Sequence, residues 1–170
     1  MRLIELYRDE LAGSKADFVG AHPRPFLIYS QNPSRENTPV DARLMTIDRF
    51  VVDGQRQSPL TETIVATELF ARDPSENKIV TIGAAPGCDI VINDNSLSKQ
   101  HAWFQRTNEA YEAWQLWDND SVGGTHVNNQ ALEPGFPRAL QSGDIVMLGY
   151  VELTYLLPDA FYTLVKNLLR

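Results

Sequence analysis

The chain has 170 residues, a formal net charge of −7 at pH 7 and an apolar fraction of 43%. That length and apolar content suit one domain of ordinary size plus an extension, and exclude a chain too polar to build a core. The acidic balance argues against a nucleic-acid backbone or an anionic membrane surface as partner, while leaving room for a locally cationic pocket.

A single cysteine, Cys88, excludes a disulfide within the chain and suits a reducing compartment. Beside Gly87 and Asp89, at the edge of a strand pattern, it reads as a small buried apolar residue. Met1 to Arg8 is charged throughout and has no apolar run of signal-peptide type, and nothing approaches the length of a membrane span. The expected location is the cytoplasm.

In chain order, Leu3, Ile4, Tyr7 and Leu11 fall at helical spacing before Gly13, which predicts a short amphipathic helix. Phe26 to Tyr29 follows two prolines and reads as a strand, and Ser30 to Asp41 as a polar loop. Leu44 to Ile47 and Phe50 to Val52 are strand candidates of a small subdomain packed on the β-rich remainder of the chain. From Thr61 the β pattern is dense. Strands are expected from Thr63 to Ala71 and from Lys78 to Gly83, with further short apolar runs at Asp89 to Ile92, Ala102 to Phe104 and Trp114 to Trp117. Short strands with turns every eight to twelve residues are the signature of a β-sandwich. Ser142-Gly143-Asp144 turns into Ile145 to Gly149, and Val151, Leu153 and Tyr155 alternate with Glu152 and Thr154 at the period of a strand. Pro158-Asp159 then opens a helix, with Phe161, Leu164, Val165 and Leu168 on one stripe. Docking of that stripe on the sandwich is expected, with a partner-facing role as the other reading.

The most distinctive order of parts is a strand ending on Gly83, a Pro86-Gly87 turn, Leu97-Ser98-Lys99-Gln100-His101-Ala102, two strands, then Gly123-Gly124-Thr125-His126-Val127-Asn128. It resembles the forkhead-associated domain, a β-sandwich that binds phosphothreonine peptides through loops at one end. The resemblance covers roughly the last 100 residues. It implies an all-β fold, a forkhead-associated-like β-sandwich of two mainly antiparallel sheets over residues 59–157. An N-terminal α/β extension over 1–58 and a C-terminal amphipathic helix over 158–170 complete the expected organisation.

The resemblance also assigns roles. Ser98 and Lys99 match the hydroxyl and cation that meet phosphate, and His101 matches a histidine that braces the loops without doing chemistry. Gly83, Thr125 and Asn128 match framework positions. Two positions depart from the family pattern: Ala84 stands where the family carries an arginine, and Gly123 where it carries an asparagine that holds the ligand main chain. An arginine offers a planar fork to phosphate, and Lys99 offers only a point charge. The expectation is a degenerate phosphothreonine pocket in a non-catalytic protein-interaction module, with weak or phosphate-independent peptide binding or a scaffold role. The alternative is a true phosphothreonine reader that uses Ser98 and Lys99. Arg106 and Lys78 are other cations near the same strands, expected to lie away from the loop tips.

Bland roles compete at each position. Ser98 also suits a turn cap, Lys99 a solvated charge, His126 an exposed strand residue, and Trp103, Trp114 and Trp117 core or half-buried strand positions. Enzyme readings fare worse. Asp118-Asn119-Asp120-Ser121 opens like a calcium loop, but Val122 and Asn129 break the ligand set. Histidines at 22, 101 and 126 lack zinc spacing, so no metal and no cofactor is expected. Ser98 and His101 as a hydrolase pair is a remote alternative, without a Gly-x-Ser-x-Gly elbow.

Overall fold

The computed structural model describes residues 10–31, 43–46, 63–73, 78–108 and 113–168. Residues 3–7 of the expected first helix, most of the predicted 30–41 loop and the Phe50–Val52 strand candidate lie outside them. Residues 10–12 are helical. A short helix that the apolar spacing does not predict, α1 (Lys15–Ala21), comes next, capped by Ser14 and Asp17 in a reciprocal capping box. The strands among the described residues are β1 (Phe26–Gln31), β2 (Arg43–Thr46), β3 (Thr63–Glu68), β4 (Ile79–Gly83), β5 (Ile90–Val91), β6 (Ala102–Arg106), β7 (Trp114–Asp118), β8 (Thr125–Val127), β9 (Gln130–Ala131), β10 (Arg138–Ala139), β11 (Ile145–Leu148) and β12 (Val151–Leu156). Helix α2 (Pro158–Leu168) closes the described chain.

The strands form two sheets, β2-β3-β1-β12-β11-β8-β9 and β10-β7-β6-β4-β5. All pairings are antiparallel except β4 with β5. The expected sandwich of two mainly antiparallel sheets is what the chain forms. Strand β1 pairs with both β3 and β12, so the Phe26 segment is an internal member of the larger sheet.

Period-two alternation produces the core. Val80 and Ile82 of β4, Ala102 and Phe104 of β6, and Trp114 and Leu116 of β7 point inward from the smaller sheet. They meet Leu27, Tyr29, Val65, Val127, Val146, Leu148, Leu153 and Tyr155 of the larger one. Cys88 is buried, as expected, and its thiol donates to the Lys99 carbonyl at 3.2 Å. Trp114 is buried; Trp103 and Trp117 are half-buried and stack across β6 and β7 with ring centroids 5.7 Å apart.

A second apolar cluster holds the ends of the chain together. Phe161 and Val165 of α2 pack with Leu11, Phe18, Phe26, Ala66 and Leu156. The Phe161 and Phe26 rings are nearly parallel, 3.9 Å apart. Lys166 donates to the Leu11 carbonyl at 2.6 Å and Tyr162 to the Gly13 carbonyl at 3.1 Å. The docked helix therefore covers the N-terminal helical residues as well as the sandwich. His22, at the end of α1, bridges Glu10 and Glu68 with 2.6 Å contacts from its two ring nitrogens.

Candidate functional site

Strand β4 ends at Gly83, and residues 98–101 run beside it. His101 N–H donates to Ile82 at 2.9 Å, Ala84 N–H to Ser98 at 3.0 Å, and Ala85 N–H to Lys99 at 2.9 Å. A Cβ on Gly83 would fall 2.4 Å from the Lys99 carbonyl oxygen, so only glycine permits this approach. The chain thus brings Ala84, Ser98 and Lys99 together by backbone pairing. Ala84 is half-buried against the core, and Lys99 is exposed.

His101 ties the loops to one another. Its Nδ1 accepts the Ser98 N–H at 3.0 Å. The proton is therefore on Nε2, which donates to the Gly124 carbonyl at 3.0 Å. The same carbonyl accepts the Gly149 N–H at 2.9 Å. Burial pushes the His101 pKa below its ordinary value, against the opposing pull of the Gly124 bond and the Asp118 charge. With both ring nitrogens committed to backbone groups, His101 has no nitrogen for the Ser98 hydroxyl. A nucleophile and base pair is not formed.

The second loop hangs on Asp118, a residue that the sequence offered only as a failed calcium ligand. Its buried carboxylate accepts from Ser121 N–H at 3.0 Å, Ser121 Oγ at 2.6 Å and Thr125 Oγ1 at 2.5 Å. Burial raises its pKa, but the hydrogen bonds from Ser121 and Thr125 outweigh it and leave the carboxyl below its ordinary value. Thr125 is buried and faces Leu148 across β8 and β11. Asn128 braces the opposite end of β8. Its side chain accepts Ile145 N–H at 2.9 Å and donates to Asp144 at 2.8 Å.

Ser98 joins the two loops, because its Oγ accepts the Val122 N–H at 3.0 Å. Two residues earlier, Ser96 ties this loop to the turn after β11: its Oγ accepts the Tyr150 N–H at 3.0 Å and donates to Asp94 at 2.8 Å. Gly123 lies between these contacts. A Cβ there would meet the Ser96 carbonyl oxygen at 2.7 Å and Gly149 Cα at 3.0 Å.

The other cations are distributed differently. Arg106 is buried opposite Trp114, and its N–H bonds Lys78, placing both at the end of β6 and β4 away from Gly83 and His101. A further cation, Arg72, donates from Nη1 to the Pro86 carbonyl at 3.0 Å and from its N–H to Asp89 at 2.8 Å. Only the fold brings it to the 84–89 loop, so sequence spacing held no signal for it.

Against known families, the FHA domain matches residues 80–149. Those residues resemble an FHA domain. The matched segment runs from β4 to the turn after β11 and includes Gly83, Ala84, Ser96, Ser98, Lys99, His101, Asp118, Gly123 and Thr125. The chain is 34% identical over 86 residues to the oxoglutarate dehydrogenase inhibitor of Corynebacterium diphtheriae, covering 51% of this chain and 56% of that protein. It is 32% identical over 81 residues to the glycogen accumulation regulator GarA of Mycobacterium tuberculosis, covering 48% and 46%. The chain thus spans about half the length of the curated relatives it matches. Full-length yeast Pml1p shares the fold, with a TM-score of 0.50 at 21% identity over 89% of this chain and 91% of that one. Among the described residues, no helix is long and apolar enough to cross a membrane.

Proposed function

We propose that the loop end of this FHA domain binds a segment of a partner protein with little contribution from phosphate, and that the chain works by interaction and catalyses nothing. The carrying observation is the sealed position of Gly123, where backbone atoms of Ser96 and Gly149 occupy the space a side chain needs. The amide that would hold a ligand main chain is missing there, as is the cationic fork at Ala84. Losing one charged hydrogen-bonding partner costs about 1.5–3 kcal/mol, or roughly tenfold to a hundredfold in affinity. The names of the curated relatives, an enzyme inhibitor and a regulator, fit a chain that acts on another protein. The single buried cysteine fits a cytoplasmic setting.

A second reading, phosphothreonine recognition, draws support from the intact brace at His101, the exposed Lys99 ammonium and a Ser98 hydroxyl proton that the Val122 contact does not use. Calorimetry with a phosphothreonine peptide and its unphosphorylated twin separates the two. The expected result is affinities within about tenfold of each other. A preference of roughly a thousandfold for the phosphopeptide overturns the proposal.

A further inference from the structure

Val122 and Tyr150 are the most exposed large apolar side chains among the described residues, at 97% and 86% exposure. Single exposed apolar residues are ordinary. These two differ because one loop fixes both backbones. Ser98 Oγ accepts the Val122 N–H and Ser96 Oγ the Tyr150 N–H, each at 3.0 Å. Each is followed or preceded by a glycine, Gly123 or Gly149, pressed against Ser96. The backbones are held while the side chains stand in water, so little ordering remains to oppose binding.

The charges around this rim decide what fits it. Residues 84–101, 119–124 and 149–150 contain one cation, Lys99, and three acidic residues, Asp89, Asp94 and Asp120. Asp89 is bonded to Thr81 and Asp94 to Ser96, while Asp120 is exposed. A phosphate dianion would find the Lys99 ammonium, and an Arg72 guanidinium already bonded to the Pro86 carbonyl, among three carboxylates. An uncharged apolar side chain meets no such penalty and gains contact with both Val122 and Tyr150.

We infer that Val122 and Tyr150 form an apolar docking rim for an unphosphorylated partner segment that leads with an apolar side chain. This rests on the reading of the loop end as a binding face and names the chemistry of its ligand. The test is selection of two displayed peptide libraries on the full chain, one of random unphosphorylated peptides and one with a fixed phosphothreonine. Selected sequences are then titrated as synthetic peptides against Val122→Ser, Tyr150→Ser and Lys99→Ala. Both rim side chains are exposed and their anchoring bonds use backbone N–H groups, so the serine variants should keep the wild-type melting temperature. The expected result is binders from the unphosphorylated library with Leu, Ile, Phe or Trp at one position. Either serine variant should weaken them by about tenfold or more, and Lys99→Ala by less than about threefold. Unphosphorylated binders with no apolar preference, or indifferent to both serine variants, overturn the rim while leaving the binding face standing. Binders from the phosphothreonine library alone, lost in Lys99→Ala, overturn the rim and the proposed weak role of phosphate together. No binder from either library overturns the binding face itself.

Discussion

A Cβ at Gly123 would lie 2.7 Å from the carbonyl oxygen of Ser96, inside any real carbon–oxygen contact. The loop after β7 and the loop before β6 are therefore in backbone contact at this point, and the glycine is a packing requirement. An asparagine cannot be introduced at this position by simple substitution. Gly123→Asn should destabilise by about 1–3 kcal/mol through overpacking and gain no phosphate-dependent binding. Urea denaturation and peptide titration of the same variant check both halves. Wild-type stability would mean that the two loops separate easily.

The brace at His101 carries its own prediction. Removing the imidazole strands the Ser98 N–H and frees the Gly124 carbonyl of one of its two partners. His101→Ala should cost about 1–3 kcal/mol from the unpaired groups, on top of the lost packing of a fully buried ring. Chemical denaturation gives the loss directly. A variant as stable as the wild type would show that the loops hold without the ring.

The same residue sets a pH dependence. The folded-state pKa of His101 is depressed, so the unfolded chain takes up a proton first as pH falls. Stability from this group is fully present above histidine's unfolded pKa of about 6.5 and declines as pH drops from there toward the folded value. Asp118 adds to the loss further into acid, because its lowered pKa gives stability that fades below the ordinary carboxylate range. The wild-type denaturation midpoint should fall between pH 7.5 and pH 5.5, and His101→Gln should flatten part of that slope. An unchanged slope would exclude His101 as its source.

The C-terminal helix gives a fourth test. Phe161 is fully buried and stacked on Phe26, while Val165 and Leu11 close the same cluster. Phe161→Ala should cost about 3–5 kcal/mol, and the melting temperature should fall accordingly. A melting temperature close to that of the wild type would point to a helix that docks loosely.

Much of this fold was legible because its strands follow simple rules. Alternation at Val151, Leu153 and Tyr155 and the Ser142-Gly143-Asp144 turn each encode a local choice, and the structure follows both. The helix α1 was not legible because Lys15 to Ala21 has one buried side chain, Phe18, which leaves no apolar period to read. The role of Asp118 was hidden for a different reason. Its partners Ser121 and Thr125 are close in sequence, but a turn that buries a carboxylate looks like a polar loop until the fold removes the water. The positions of Ser98, Lys99 and His101 were legible through the resemblance. What closes on Gly123 was not, since Ser96 and Gly149 lie 27 and 26 residues away along the chain and meet it only in three dimensions.

Position 84 is open to the change that position 123 refuses. Ala84 is half-buried, its N–H is already paired with Ser98, and its backbone needs no glycine-like freedom. Ala84→Arg gives up a methyl contact with the core, but a long side chain can lay its stem along apolar surface and keep its head in water. The guanidinium then adds a planar pair of donors beside the Ser98 hydroxyl and the Lys99 ammonium. Phosphothreonine peptides should bind Ala84→Arg more tightly than the wild type by about tenfold to a hundredfold, with the unphosphorylated twin unchanged. The gain should shrink as salt rises from about 50 to about 300 mM, because an exposed charge contact is screened over about 10 Å at 0.1 M. Calorimetry at two ionic strengths reads both effects, and a melting curve guards against a misfolded variant. A well-folded Ala84→Arg with no phosphate-dependent gain would mean that the side chain at 84 does not reach the Ser98 and Lys99 corner. Phosphate recognition would then have to be sought elsewhere on the domain.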